Sequence, residues 1–176
     1  MKLPVYIYGL WFRMVEETDA EFIWDLRTNP ELARHLSPIG DHIDNQRTWI
    51  RNYKTREAKR VEYYFIFGPK ETDPCGVIRL YNITADAFTC GSWLIRPRSD
   101  EFAAPGSDLF AMILGFETLN KQRCIFDTRK ANKKVVRYHR IFAKQTHEDR
   151  ENYYFEIDWA HYQYKKHFLS KILGII

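Results

Sequence analysis

Apolar positions change their spacing along the chain, and each change marks an element. Residues 5–15 (VYIYGLWFRMV) are rich in β-branched and aromatic side chains and read as a strand. The polar run Glu16-Glu17-Thr18-Asp19 closes it, and the spacing then turns helical. Phe22, Ile23 and Leu26 fall on one face of a helix over 20–27, capped by Thr18 or Asp19 and stopped at Thr28-Asn29-Pro30. A short helix over 31–36 ends ahead of Pro38-Ile39-Gly40, and a third opens at Asp44 with Trp49, Ile50 and Tyr53 at helical spacing. A period of two returns at 63–67 (YYFIF) and at 76–83 (GVIRLYNI), where Arg79 and Tyr81 share one face and Ile78 and Leu80 the other. The strand over 89–95 follows a short connection and should run antiparallel to its predecessor.

Beyond it, a polar loop over 96–104 leads into a helix opening at Pro105-Gly106-Ser107-Asp108 and carrying Leu109, Met112, Ile113, Phe116 and Leu119. A strand feeding a loop into a helix N-terminus brings unpaired N–H groups and a positive dipole end together, which suits an anion. The strand over 123–128 is reached through that helix, so it should lie parallel to Ser92–Ile95. A helix over 132–142 with Val135, Tyr138 and Phe142 on one face, a strand over 153–157 and a helix over 159–173 complete the chain. This order predicts an α/β (α+β) fold, a mixed, twisted sheet with helices on both faces. No repeat or linker divides the 176 residues, so one domain is expected.

Composition narrows the function classes. Apolar residues at 45% and aromatics at 16% exclude a disordered chain. No run approaches the roughly 20 apolar residues that span a bilayer, and the start of the chain lacks a cleavable signal pattern. Cys75, Cys90 and Cys124 are odd in number and widely spaced, with no metal-ligand spacing and no disulfide framework. They read as buried thiols in a reducing, cytoplasmic setting, and no metal is expected. A net charge of +4 is modest for a nucleic-acid binder, so no nucleic-acid partner is expected. The basic residues nevertheless crowd 47–60 and 129–140, as solvated helix faces or as attraction for a phosphate-bearing ligand. The apolar end, 168–176, is expected to pack on the body first, to form a homodimer contact second, and to touch a membrane last.

The element order, with LWFRMVEETDAEFIWDLRTNPEL, QRTWI, the Gly76-Val77-Ile78 strand, Ser92-Trp93-Leu94-Ile95-x-Pro97 and the helix at Asn132, resembles the GCN5-related N-acetyltransferase superfamily. The likeness runs from about Leu10 to Ile157. It implies coenzyme A, brought as acetyl-CoA or another acyl-CoA. The superfamily loop has the form Gln/Arg-x-x-Gly-x-Gly/Ala, and here it is matched by Glu101-x-x-Ala104-x-Gly106, followed by Ser107. Only Gly106 is strictly retained, and an acid at 101 would repel a pyrophosphate. The expectation is therefore phosphate held by amides around Ala104, Gly106 and Ser107 with help from Arg98. Backbone amides of Trp93, Leu94 and Ile95 would meet the thioester and pantetheine. Asn132 resembles the family asparagine that meets coenzyme A, and it also suits a helix N-cap. Many members place a tyrosine general acid seven residues later, where this chain has His139, with Tyr138 just before it.

The segment DTRKANKKVVRYHRIFAKQTHEDRENYYFEI resembles a smaller group of the superfamily through Asp127, Arg129, Lys130, Asn132, Val135, Tyr138, His139 and Phe142. Ala143 stands where that group has Gly. This likeness implies transfer of an acetyl or 3-hydroxyacyl group to a nucleotide-linked amino-deoxysugar used in surface polysaccharide. Candidate acceptor residues are Arg27, Asn29, His35, Gln46, Trp49, Arg79 and Tyr81, a set that favours an anionic acceptor over a polyamine. Asp41, Asp44 or Glu62 could supply a base. Acetylation of a protein N-terminus or of a small-molecule amine, and a non-catalytic binding or partner protein, are the alternatives.

Overall fold

The computed structural model describes residues 3–36 and 42–176, so Pro38, Ile39, Gly40 and Asp41 lie outside the described residues. Within them the strands form one eight-stranded sheet in the order β1-β2-β3-β4-β5-β6-β8-β7. The strands are β1 (Val5–Ile7), β2 (Leu10–Met14), β3 (Tyr63–Gly68), β4 (Gly76–Tyr81), β5 (Ala87–Ile95), β6 (Arg123–Arg129), β7 (Lys144–Glu148) and β8 (Asn152–Ile157). The helices are α1 (Ala20–Thr28), α2 (Pro30–Ala33), α3 (Ile43–Ala58), α4 (Ala103–Ile113), α5 (Lys133–Phe142) and α6 (Trp159–Ile172).

The alternation of β3 and β4 sorts the core into two layers. Tyr64 and Ile66, with Val77 and Leu94, pack against Ile23 and Leu26 of α1 and Ile50 and Tyr53 of α3. Phe65, Phe67, Ile78 and Leu80 face the other way, against Phe110, Met112, Phe116 and Tyr162. The sheet is mixed and covered by helices on both faces, as the element order predicts.

Four local expectations need correction. The single strand over 5–15 is a hairpin, because Tyr8 and Gly9 take positive φ (57° and 73°) and form a two-residue turn between Ile7 and Leu10. The helix expected at Pro105 begins at Ala103. Strand β7 (KQTHE) was not expected at all; every residue of it is exposed, so it has no apolar period to read, and its pairing with β8 alone defines it.

The fourth correction concerns the parallel pair. Strands β5 and β6 are parallel, but they pair only at Ala87↔Arg123 and Phe88↔Cys124, not at Ser92–Ile95. Beyond Phe88 the two strands part. Strand β5 carries one extra residue against β4 there, since Val77 faces Leu94 and Arg79 faces Gly91, and Ser92 sits at φ 46°. Such a bulge bends its strand and takes a residue out of the ladder. Helix α4 runs on into a π-helical turn, Leu114–Thr118, whose Gly115 lies beneath Phe88. A Cβ there would come 2.1 Å from the Phe88 ring, so only glycine lets the helix close up under the last paired residue.

Candidate active site

The parting of β5 and β6 opens a gap through the sheet, and two cavities meet in it. The larger, of about 580 Å³, lies on the α1/α3 side and is lined by Trp24, Arg27, His35, Gln46, Trp49, Tyr64, Arg79 and Tyr81 among others. The smaller, of about 320 Å³, lies on the α4/α5/α6 side and is lined by Trp93, Asp108, Met112, Asn132, Val135, His139 and Lys165 among others. His35, Leu36, Cys90, Gly91, Phe126 and Asp127 line both. A reactant entering from each side would therefore meet its partner at Cys90–Gly91 of β5 and Phe126–Asp127 of β6.

The larger cavity brings two arginines, Arg27 and Arg79, into its lining. The Arg79 guanidinium lies 4.1 Å from the Tyr81 ring centroid and 5.2 Å from that of Trp49, held between the two. Its Nη1 is 3.3 Å from Glu62 Oε1, and Glu62 is buried and also bonded by Arg56 Nε at 2.7 Å. The buried Arg79 Nε has no hydrogen-bond partner among the described residues. Burial, and repulsion from the nearby Arg79, hold the Arg27 pKa below its usual value. Two guanidiniums close enough to repel, in a half-enclosed space, make a site that an anion would stabilise. Burial raises the Tyr81 hydroxyl pKa, and the Tyr64 hydroxyl is pushed up to about 12 by the same cause. Both stay neutral near pH 7. Asn29 lies outside both cavities and caps α2, its Oδ1 accepting from the Glu31 amide at 2.9 Å.

The smaller cavity is built from the helices behind β5. Asn132 caps α5, its Oδ1 accepting from the Val135 amide at 3.3 Å, and it also lines the cavity. Trp93 is held by its indole N–H, which donates to Ser107 Oγ at 3.0 Å. Ser107 is fully buried and donates to the Ala103 carbonyl at 2.6 Å, so its hydroxyl positions Trp93. Gly106 is buried as well; a Cβ there would meet Leu10 and the Tyr8 carbonyl at 3.0 Å, which makes it the contact between α4 and the first hairpin. The side chain of Leu94 is in the α1/α3 core and that of Ile95 packs on the opposite one, so they would offer a ligand backbone only.

At the start of α4, the Asp100 carboxylate accepts from the Phe102 amide at 2.8 Å and its carbonyl from Ala103 at 3.0 Å. Pro105 has no N–H, which leaves Ala104 as the first-turn amide open to an anion. Glu101 and Arg98 are exposed in the preceding turn, Arg98 at φ 63°.

Tyr138 and His139 part company. The Tyr138 hydroxyl donates to Asp108 Oδ2 and stands behind the cavity wall, while His139 lines the cavity. Burial, then the Asp108 carboxylate, raise the Tyr138 pKa far above the usual phenol value. His139 rests against Phe126, 4.5 Å between centroids, and burial with the nearby Lys165 lowers its pKa to about 4. It is a neutral imidazole at pH 7. Three residues that sequence reasoning left without a role belong to the site: Asp127, Asp108 and Lys165. Asp108 interrupts an apolar helix, and Lys165 falls on the stripe of Tyr162 and Leu169, so a charge at a core position was the signal available for both.

The His139 shift makes stability depend on pH. Between about pH 6.5 and about pH 4 the unfolded chain binds a proton at this ring that the folded chain does not. Its contribution is therefore fully present above pH 6.5 and lost as pH falls towards 4. Urea unfolding should show wild type losing about 2–3 kcal/mol more than His139→Gln between pH 7 and pH 4.5. Parallel losses in both proteins would contradict the buried neutral ring.

Two half-sites are thus joined through a parted parallel pair. Residues 10–142 match the acetyltransferase (GNAT) domain family. The chain belongs to the GNAT acetyltransferase family. It is an acyl-CoA-dependent N-acyltransferase by family, and the fold is that of the GNAT enzymes. Among solved structures it is similar to apo FdhC, a nucleotide-linked sugar GNAT, at 35% identity over 99% of this chain and 100% of that one, with a TM-score of 0.86. The ribosomal-protein-S5-alanine acetyltransferase of Vibrio fischeri shares the fold at 12% identity, with 89% and 97% of the two chains covered and a TM-score of 0.75. The spermidine N-acetyltransferase of Vibrio cholerae, solved with CoA and spermine, shares it at 18% identity, 89% and 99% coverage and a TM-score of 0.73. A search of curated proteins gave no match.

The residues of this GNAT fit the acyl-CoA its family uses. The gap beyond Phe88 leaves one side of β5 without a paired strand, and the bulge at Ser92–Trp93 takes backbone out of the ladder. Asn132 lines the adjoining cavity, and the first turn of α4 contains no acidic residue.

Proposed function

We propose that this GNAT transfers an acyl group from acyl-CoA to the amine of a nucleotide-linked amino-deoxysugar. The observation that carries the reading is the cationic acceptor-side cavity, with Arg27 beside an Arg79 that Trp49 and Tyr81 hold in place. A diphosphate offers two anionic groups to such a pair, whereas a polyamine would be repelled by it. The full-length likeness at 35% identity to a nucleotide-linked sugar GNAT supports the same class. Trp49 is stacked on Tyr53 at 5.9 Å with Arg56 over it at 5.4 Å, so its task in this reading is to hold Arg79. His35 lines both cavities at their junction and suits the sugar.

Acyl-CoA would lie along β5, against the amides of Trp93, Leu94 and Ile95, with Asn132 beside it and its phosphates near Ala104 and Arg98. It supplies an activated acyl carbonyl. The incoming amine must be neutral to attack, and Asp127, at the meeting of the two cavities, is placed to accept its proton. His139 enters as the neutral imidazole and works through a hydrogen bond rather than a charge. Tyr138 has its hydroxyl proton engaged by Asp108 and positions the wall behind His139. Three free cysteines fit a cytoplasmic setting, where surface-polysaccharide precursors would be modified.

Mass spectrometry of nucleotide-linked amino sugars incubated with the enzyme and either acetyl-CoA or a 3-hydroxyacyl-CoA tests the reading. A mass gain of one acyl group on at least one sugar is the expected result. Acylation of spermidine or a peptide amine, with none of the sugars modified, would overturn it.

A further inference from the structure

Lys165 is the least expected charge in the molecule. It stands on the inner face of α6, one turn from Tyr162 and one from Leu169, and only 2% of it is exposed. Its Nζ is 2.8 Å from Asp108 Oδ2, the same oxygen that accepts from the Tyr138 hydroxyl. A buried ion pair is rarely better for stability than apolar residues of the same size, so packing alone gives no reason for a lysine here. Lys165 and Asp108 both line the smaller cavity, on the side of the gap where acyl-CoA would lie.

That side has a chemical need the residues considered so far leave unmet. When the amine displaces the thiol of acyl-CoA, the new N–C bond forms, the C–S bond breaks, and the sulfur leaves with the electron pair. It must gain a proton to end as a free thiol. Tyr138 directs its proton to Asp108, and His139 is neutral against Phe126. We propose that Lys165 is a catalytic residue whose ammonium faces the departing sulfur and stabilises it as a thiolate. The thiolate takes its proton from solvent through the open cavity, while the proton lost by the attacking amine goes to Asp127. Asp108 holds the ammonium in place and fixes Tyr138 with the same oxygen. The groups facing Lys165 are Asp108 on α4, Tyr138, His139 and Phe142 on α5, Cys124 on β6 and Cys90 on β5. Among these, Asp108 is the anion.

The proposal rests on the acyl-CoA reading of the smaller cavity and not on the identity of the amine. Its test can therefore fail separately. Coenzyme A is bound to the enzyme and its thiol titrated by the ultraviolet absorbance of the thiolate. An ammonium a few ångströms away should lower the thiol pKa of the wild-type complex by about one to three units from that of free coenzyme A. In Lys165→Met/Asp108→Asn, which removes both buried charges together, the thiol should return to its free value. With an amine that wild type accepts, kcat of the double variant should fall about a hundredfold while KM for acetyl-CoA stays within about threefold.

A wild-type complex that titrates at or above the free thiol overturns the proposal with no variant needed. So does a thiol that stays low in the double variant, or a kcat within threefold of wild type. If no nucleotide-linked sugar is a substrate, the acceptor reading fails, and the thiol titration still decides the role of Lys165.

Discussion

Arg79→Met should lower kcat/KM for a nucleotide-linked amino sugar by roughly a thousandfold while changing KM for acetyl-CoA by less than about threefold. The guanidinium is already positioned by Trp49 and Tyr81, so little side-chain freedom is lost when it binds. Two charge-assisted hydrogen bonds to a phosphate group, at about 2 kcal/mol each, come to about 4 kcal/mol, or three powers of ten. Methionine keeps the contact between the two rings and removes only the charge. Glu62 keeps its bond from Arg56 at 2.7 Å, so the fold should hold. Steady-state kinetics with each substrate varied in turn gives both numbers. Equal loss for a nucleotide-linked sugar and for an uncharged amine would show that Arg79 is scaffold.

The second large effect lies in the core that holds the two half-sites together. Phe110 of α4 stacks on Phe12 at 3.9 Å and meets Phe65 edge-on at 5.0 Å. It is 1% exposed and joins α4 to the centre of the sheet. Phe110→Ala should cost about 4 kcal/mol, the sum of lost burial and an unfilled cavity. For a chain of this length that is a fall in Tm of about 10–15 °C. Differential scanning calorimetry measures it, and a fall under about 3 °C would mean that α4 is not anchored through this ring. Because α4 also carries Asp108 and Ser107, the variant should lose coenzyme A affinity at temperatures where it is still folded.

Much of this fold is legible in the sequence, and the gaps have physical causes. Arg79 and Tyr81 were placed on one strand face by alternation alone, and they do share a cavity. The antiparallel run of β3, β4 and β5 and the helices on both faces followed from the changes of period and the short connections along the chain. The extent of parallel pairing did not follow. A strand's residues are the same whether its neighbour pairs for two residues or seven, and the bulge at Ser92 depends on β4. Gly106 and Ser107 could be read as loop chemistry because small residues suit both a phosphate cradle and a tight contact. In the fold, Gly106 packs against the first hairpin and Ser107 holds Trp93.

Tyr138 and His139 are adjacent on a helix, about 100° apart, so only one could line a given wall. Sequence could not say which without knowing where α6 lies. Lys165 was passed over for the opposite reason. A lysine on an amphipathic helix is assigned to solvent by habit, and its burial became meaningful only beside Asp108. Sites built from several elements are hard to read because each member looks like ordinary helix or strand until the others are in place.

The central claim is that the acceptor is recognised through its anionic part. The most direct measurement compares kcat/KM for one amino-deoxysugar carried on a nucleoside diphosphate with that for the same sugar as a simple methyl glycoside. With Arg27 and Arg79 in the acceptor cavity, the nucleotide-linked form should be preferred by at least about a hundredfold, and the preference should shrink as salt is raised. Equal rates for the two forms, unchanged by salt, would contradict the account.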